Sequence, residues 1–197
     1  LEVRSWNQVV YAGTLTPKKG IVSLVKCWAR VRKTCDAAEL HVFGKDGRAQ
    51  DGQSMQSFLQ AQLAASDRDS VHFHGHVALE TLLEAFGRAR AAVLPSYAEG
   101  FALTPLHAMA CGCPTICGRY GSALELIEHG RNGLLVEPSN PDDIANAIVR
   151  VITDDDLADR LGRAGRKRVQ EGFSVEALRA QNEAFYEDCL WKFHASS

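Results

Sequence analysis

No apolar run in the sequence approaches the ~20 residues that a membrane-spanning helix needs, and the opening residues, LEVRSWNQ, lack the basic start and apolar stretch of a signal peptide. A cytoplasmic protein is therefore expected. There is no surplus of positive charge either: 22 Lys plus Arg stand against 24 Asp plus Glu, a formal net charge of −2. No overall basic field exists to hold nucleic acid or an anionic membrane, so any phosphate site must be local and any membrane association peripheral. Internal repeats, low-complexity tracts and linkers are missing too. With 46% hydrophobic and 23% charged residues in 197, the composition is that of a folded globular chain.

The six cysteines lack the spacing of a familiar metal site. His107, Cys111, Cys113 and Cys117 read H-x3-C-x-C-x3-C, which contains ligand types without the C-x2-C pair of structural zinc. They fit better as small residues between a helix and a strand. Cys27 and Cys189 each fall in an apolar helical pattern, where a thiol behaves as a small buried hydrophobe, so reduced thiols are expected. His72 and His74 alternate along a strand and share a face, with no acidic or cysteine partner nearby in sequence; packed or hydrogen-bonded histidines are expected there. No metal site is anticipated.

What is present is a regular alternation of short β-branched runs with helical patterns, the signature of parallel βαβ units. Strands are expected over 8–12, 40–44, 71–73, 91–95, 114–117 and 133–136. Most are uninterrupted apolar runs, as strands covered on both faces should be. Between them, Ile21, Leu24, Val25, Trp28 and Val31 lie on one helical stripe, and Leu79, Leu82, Leu83 and Phe86 on another. A later helix announces itself with Asn140 as N-cap, Pro141 at its first position and Asp142 and Asp143 against the positive end of the dipole. Ser174 caps a last long helix, where Leu178, Phe185 and Cys189 recur before Trp191 and Phe193, aromatics with no evident core. The expected architecture is one α/β domain over 1–197, a doubly wound Rossmann-like parallel sheet of about six strands. Ligands of such a sheet bind beyond the carboxyl ends of its strands.

Three strand-to-helix turns carry the residues an anion site needs. In the first, 12–20, Gly13 lets backbone approach a ligand and Lys19 places a point charge ahead of a helix. It is neither G-x-G-x-x-G nor a Walker loop, because the required glycines are missing. In the second, 96–114, Thr104 and Pro105 form an N-cap and first-position pair, so a helix with free amides starts there, and Glu99 stands just before it. In the third, 118–133, Glu125 sits in a first helical turn within reach of the same crevice.

These segments together resemble the nucleotide-sugar-binding half of retaining GT-B glycosyltransferases, specifically glycosyltransferase family 4, also described as glycosyl transferases group 1. The resemblance runs from Val9 to about Tyr186. It implies that Gly13 and Lys19 contact a donor diphosphate and that Glu99, first residue of an E-x7-E motif, binds donor-sugar hydroxyls. Amides around Phe101, Ala102, Leu103 and Thr104 would meet sugar and phosphate, and the turn at Gly75 and His76 would lie beside the base. Two positions depart from the family pattern. The second motif glutamate, which holds the ribose hydroxyls, is His107, whose neutral imidazole has one acceptor nitrogen. The arginine that follows the first-turn glycine is Thr14, which removes one charged donor, and the neighbouring Lys18 is expected to replace it in part.

The resemblance implies a hexosyltransferase that moves a glycosyl group from a nucleoside-diphosphate sugar, with retention, to a sugar or lipid-linked acceptor in polysaccharide biosynthesis. Lys19 and Glu99 would be its catalytic residues, with no cofactor and no obligatory metal. It also implies that an N-terminal acceptor half is absent, consistent with a chain that begins at Leu1 almost directly before a strand. Such a chain should bind donor yet transfer poorly or not at all, and its 174–197 helix should pack on the absent half. The rival reading is a catalytically inactive nucleotide-sugar-binding partner or sensor.

Overall fold

The computed structural model describes residues 5–101 and 103–195. Six parallel strands run in the spatial order β3-β2-β1-β4-β5-β6. They are β1 (Gln8–Ala12), β2 (Glu39–Phe43), β3 (Val71–Gly75), β4 (Ala91–Leu94), β5 (Thr115–Gly118) and β6 (Leu134–Val136), each within two residues of its expected bounds. The order reverses between β1 and β4, whose Val9 and Val10 pair with Ala91 and Ala92. This is the doubly wound sheet expected from the alternation, and its switch point is the crevice between β1 and β4.

Period-two alternation divides β1 between two cores. Val9 and Tyr11 face one layer, with Leu40, Val42, Val93 and Ile116, while Val10 and Ala12 face the other, with Ala92, Leu94 and Cys117. The first layer is closed by α1 (Ile21–Thr34) and α6 (Pro141–Thr153) and, towards the edge, by α2 (Met55–Gln62). The α1 stripe behaves as its spacing requires: Ile21, Leu24, Val25, Trp28 and Val31 are all buried. Each such side chain contributes about 1.5–3 kcal/mol. The second layer holds α3 (Leu79–Arg88), α4 (Leu103–Ala110) and the short α5 (Ala123–Leu126). Here the expected stripe is only partly realised. Phe86 is fully buried, whereas Leu79 is 46% exposed at the rim of a cavity.

Asn140 caps α6 as anticipated, its Oδ1 accepting from the amides of Asp142 and Asp143 at 3.0 and 3.2 Å. Two helices had no clear sequence signal, α2 and α7 (Asp155–Gly172). The second begins within two residues of the end of α6, because Asp154 accepts from the Leu157 amide and restarts the helix. Its buried side carries Ala158, Gly162 and Gly165 among two leucines, so a hydrophobic-stripe reading passes it by. Gly165 packs against Met109 of α4.

The final helix, α8 (Val175–Ala195), starts at Ser174, whose Oγ accepts from the Ala177 amide at 3.1 Å. From Leu178 to Phe193 every residue is exposed. Cys189 is therefore exposed, not the buried hydrophobe its spacing suggested. Cys27 is buried as expected, and burial pushes its thiol up to about 12. No cysteine among the described residues is in a disulfide. No helix among them is long and apolar enough to cross a membrane.

Arg90, at the entry to β4, ties the α6–α7 corner to the sheet. Its buried guanidinium donates to the carbonyls of Val151 and Ile152 at 2.7 and 3.0 Å and reaches Asp155 at 2.6 Å. Truncation strands two helix-terminal carbonyls. Arg90→Ala is expected to lower unfolding stability by about 2–3 kcal/mol, read as a reduced urea midpoint at unchanged m-value.

Candidate functional site

The site lies where the turns leaving β1 and β4 touch. After β1 the chain makes a single 3-10 turn, Pro17–Lys19, with Pro17 at its start, and Gly20 then turns it into α1 with φ +72°. A Cβ on Gly20 would stand 1.9 Å from the Pro95 carbonyl oxygen, so only glycine allows this approach. The Tyr97 amide donates to the Lys18 carbonyl at 2.9 Å, closing the contact from the other side. The Tyr97 hydroxyl donates to the Pro138 carbonyl at 3.1 Å and meets Ser23 Oγ at 3.3 Å, anchoring the loop after β4.

This framework brings Lys19 and Glu99 together across 80 residues of sequence. Lys19 Nζ donates to both carboxylate oxygens of Glu99, at 2.6 and 2.8 Å. Both side chains are less than a third exposed, and a pair of this kind is worth on the order of 1 kcal/mol. Glu99 is held from behind: its carbonyl accepts from the Ser122 amide and hydroxyl at 3.4 Å each, and Gly121, with φ +65°, leaves room for it. Its charge is felt by buried neighbours. Burial foremost, and Glu99 in addition, raise the Tyr11 phenol and the Cys117 thiol above their ordinary values.

Two adjoining hollows open at this switch point. The smaller, about 30 Å³, is lined by Tyr11, Gly13, Lys19, Glu99, Thr104 and Tyr120 among others. The larger, about 630 Å³, lies between the turns that leave β1, β2 and β3 and includes Gly13, Thr14, Lys45, His76, Leu79 and Thr104. That size is within the range of small-molecule sites. The turns are laced together by backbone: Gly13 N donates to the Phe43 carbonyl at 2.9 Å, and Leu15 N to that of Lys45 at 2.9 Å.

Gly13, Thr14, Lys19, His76, Glu99 and Thr104 thus all line one or both hollows. Phe101 and Leu103 are exposed, at 61% and 56%. Ala102 lies outside the described residues. Helix α4 begins at Leu103, so Thr104 is its second residue and not its cap. Pro105 is accommodated because first-turn amides have no acceptor within the helix. His107 is half-buried one turn beyond Thr104 on the same side of α4 and lines neither hollow. Glu125 does not reach the crevice: it is exposed, and its carbonyl accepts from Arg168 at 2.9 Å.

Lys18 stands apart from Gly13 and Thr14. It lines a separate hollow of about 780 Å³ between the 3-10 turn, α1 and α2, which contains none of the expected site residues. Lys45 lines the larger hollow with Gly13 and Thr14. Its signal was readable, since Gly44-Lys45 ends β2 as Gly13 ends β1. Tyr11, Ser96, Cys117 and Tyr120 were also unforeseen, and only their places at strand ends mark them. Tyr120 donates to Glu137 at 2.5 Å, a bond that holds the Glu137 carboxyl below its usual range.

Among the described residues, the cysteines of the H-x3-C-x-C-x3-C run do not gather with His107. Cys113 Sγ faces the carbonyls of Ala89 and Pro114, and Cys117 is buried against the sheet.

Residues 4–168 match the family described as Glycosyl transferases group 1. Glycogen synthase of Mycobacterium tuberculosis is 30% identical over 179 residues, which make up 91% of this chain and 42% of that protein. Sucrose-phosphate synthase from Thermosynechococcus elongatus superposes with a TM-score of 0.78 at 32% identity, over 96% of this chain and 46% of that one. Anabaena HepE, solved in complex with UDP, shares the fold with a TM-score of 0.80 at 23% identity, over 92% of this chain and 49% of that one. The chain spans less than half the length of these relatives.

Adding a methyl at Gly20 forces a left-handed residue, at about 1–2 kcal/mol, and drives a carbon into the Pro95 carbonyl. Gly20→Ala is expected to cost at least 2 kcal/mol or so in urea unfolding, and any folded fraction should bind ligand poorly, because the two turns must part.

Proposed function

The chain belongs to the glycosyl transferases group 1 family, and from that premise we propose that it is the donor half of a retaining hexosyltransferase. It binds a nucleoside-diphosphate sugar at the β1/β4 crevice for transfer of the glycosyl group to a sugar or lipid-linked acceptor. What carries this reading is the Lys19–Glu99 contact beside the amino end of α4 at the switch point of the sheet. Relatives named for glycogen and sucrose-phosphate synthesis, and a fold-mate in complex with UDP, support a nucleotide-sugar donor.

Negative charge grows on the leaving diphosphate as the glycosidic bond breaks. Lys19, the Gly13 backbone, the first-turn amides of α4 and Lys45 are aimed at that charge before the reaction begins, so little reorganisation is needed. In this reading protein cations meet the diphosphate and no resident metal is required. Glu99 has two oxygens and accepts two sugar hydroxyls; it orients the sugar and is not the nucleophile. Without ligand the two charges neutralise each other, and the donor exchanges that pair for Lys19 on phosphate and Glu99 on hydroxyls. The larger hollow, with His76 at its edge, takes the nucleoside.

A ligand of the native state alone raises its stability by RT ln(1 + [L]/Kd). Thermal-shift and calorimetric titration with UDP, GDP and ADP, with and without Mg²⁺, is expected to give a shift with one base that needs no metal. Lys19→Ala should weaken it at least about tenfold, and His107→Glu, which adds a second acceptor for ribose, should tighten it about five- to tenfold. No shift with any nucleotide would overturn the donor-binding reading, whereas a shift without transfer by the two-domain protein would favour the inactive-partner reading.

The aromatic side of α8 is read as the seam to an acceptor half. Leu190, Trp191 and Phe193 are 60–70% exposed, an expanse that soluble proteins ordinarily cover. In a structure of the two-domain protein these side chains are expected to be buried; finding them in solvent would overturn the assignment.

A further inference from the structure

The open face of the outer strands carries an unassigned cluster of metal-ligating side chains. Glu39 and His41, two apart on β2, point to the same side, and the parallel register sets His72 of β3 directly beside His41. Glu39 Oε2 lies 3.4 Å from His41 Nε2 and 3.9 Å from His72 Nε2. The three donor atoms all fall within 4.8 Å of one another, and no other such group occurs among the described residues. In sequence the histidines had no acidic partner; pairing of β2 with β3 supplies one.

We propose that Glu39, His41 and His72 form a binding site for a divalent transition-metal ion of the zinc class, separate from the donor crevice. At Zn–N and Zn–O distances of ~2.0–2.1 Å, tetrahedral donors stand about 3.3 Å apart, so the observed spacing closes on an ion through side-chain rotation alone. The donor set, two imidazoles and a carboxylate, is one that zinc accepts, with water in the fourth position. The ion has a way in, since the Glu39 and His72 side chains are 41% and 39% exposed.

The fourth member of the cluster is a positioning residue. His41 Nδ1 and His74 Nε2 are 2.9 Å apart. With the ion on His41 Nε2, the Nδ1–H donates to His74 and fixes the ring, as metal-bound histidines require of a neighbour. His74 is itself stacked on Phe43, 4.5 Å between ring centroids. A bound ion clasps β2 to the edge strand β3, and β3 leads into the Gly75–His76 turn at the larger hollow.

Titration of the chelator-stripped chain with Co²⁺ reads the site by its visible d–d absorption. One equivalent is expected to bind with a non-octahedral band that Zn²⁺ abolishes. His41→Ala and His72→Ala should each weaken binding at least tenfold, and His74→Ala about tenfold while leaving the band shape unchanged. His72 sits on the edge strand and half in solvent, so its variant keeps the test open if His41→Ala fails to fold. No band at one equivalent, or binding that survives the His72 and His41 substitutions, would overturn the proposal and leave adventitious surface binding.

Discussion

The turn after β1 and the turn after β4 are in backbone contact, and the arrangement of the site depends on it. Gly20 has no Cβ because Pro95 occupies that space, and Lys18 and Tyr97 share a hydrogen bond across the same seam. The two turns arise from strands adjacent only because the sheet reverses its order at its centre. Elsewhere in the sheet, consecutive turns sit side by side with their neighbours in sequence. At the switch point, segments 80 residues apart meet, and there the chain places a lysine against a glutamate.

Lys19 and Glu99 leave neither charge stranded at the crevice. Without a partner Lys19 would be an unpaired, partly buried cation, which is costly. Glu99 satisfies it with two short bonds, and Ser122 and Gly121 keep Glu99 from wandering. The pair is weak enough, on the order of 1 kcal/mol, for an incoming anion to displace. Lys45 lines the larger hollow with Gly13 and Thr14 and so adds a second cation to the crevice.

Two surfaces are less covered than the rest, for different reasons. On α8 the side chains of Leu190, Trp191 and Phe193 stand 60–70% exposed, a larger apolar surface than a soluble fold ordinarily leaves. On the outer strands, β2 and β3 turn Glu39, His41, His72 and His74 towards solvent, a polar set on a sheet face that is elsewhere apolar. Polar side chains so close together call for a partner, and the stacked rings and shared carboxylate satisfy them only in part.

Much of this protein was legible in the order of its residues. Apolar runs covered on both faces have no choice but a sandwiched parallel sheet, and the Asn140-Pro141-Asp142-Asp143 cap and the α1 stripe could each be read directly, because hydrogen bonding at a helix end and a 3.6-residue period are local. The family motif marked Gly13, Lys19, Glu99 and Thr104 for the same reason. What lay beyond sequence is whatever depends on which strands are neighbours. Burial of Leu79 failed because its helix begins over a cavity; Lys45 and not Lys18 lines the hollow with Gly13 and Thr14 because a turn of backbone decides which side a lysine faces; α7 was hidden because glycines and alanines pack well yet carry little hydrophobic signal. The histidine cluster exists only once β2 lies beside β3. Sequence by itself determined the fold class and the chemistry of the turns, through local periodicity and capping; the tertiary structure alone decided which charges meet, because strand order is a long-range property that no local pattern encodes.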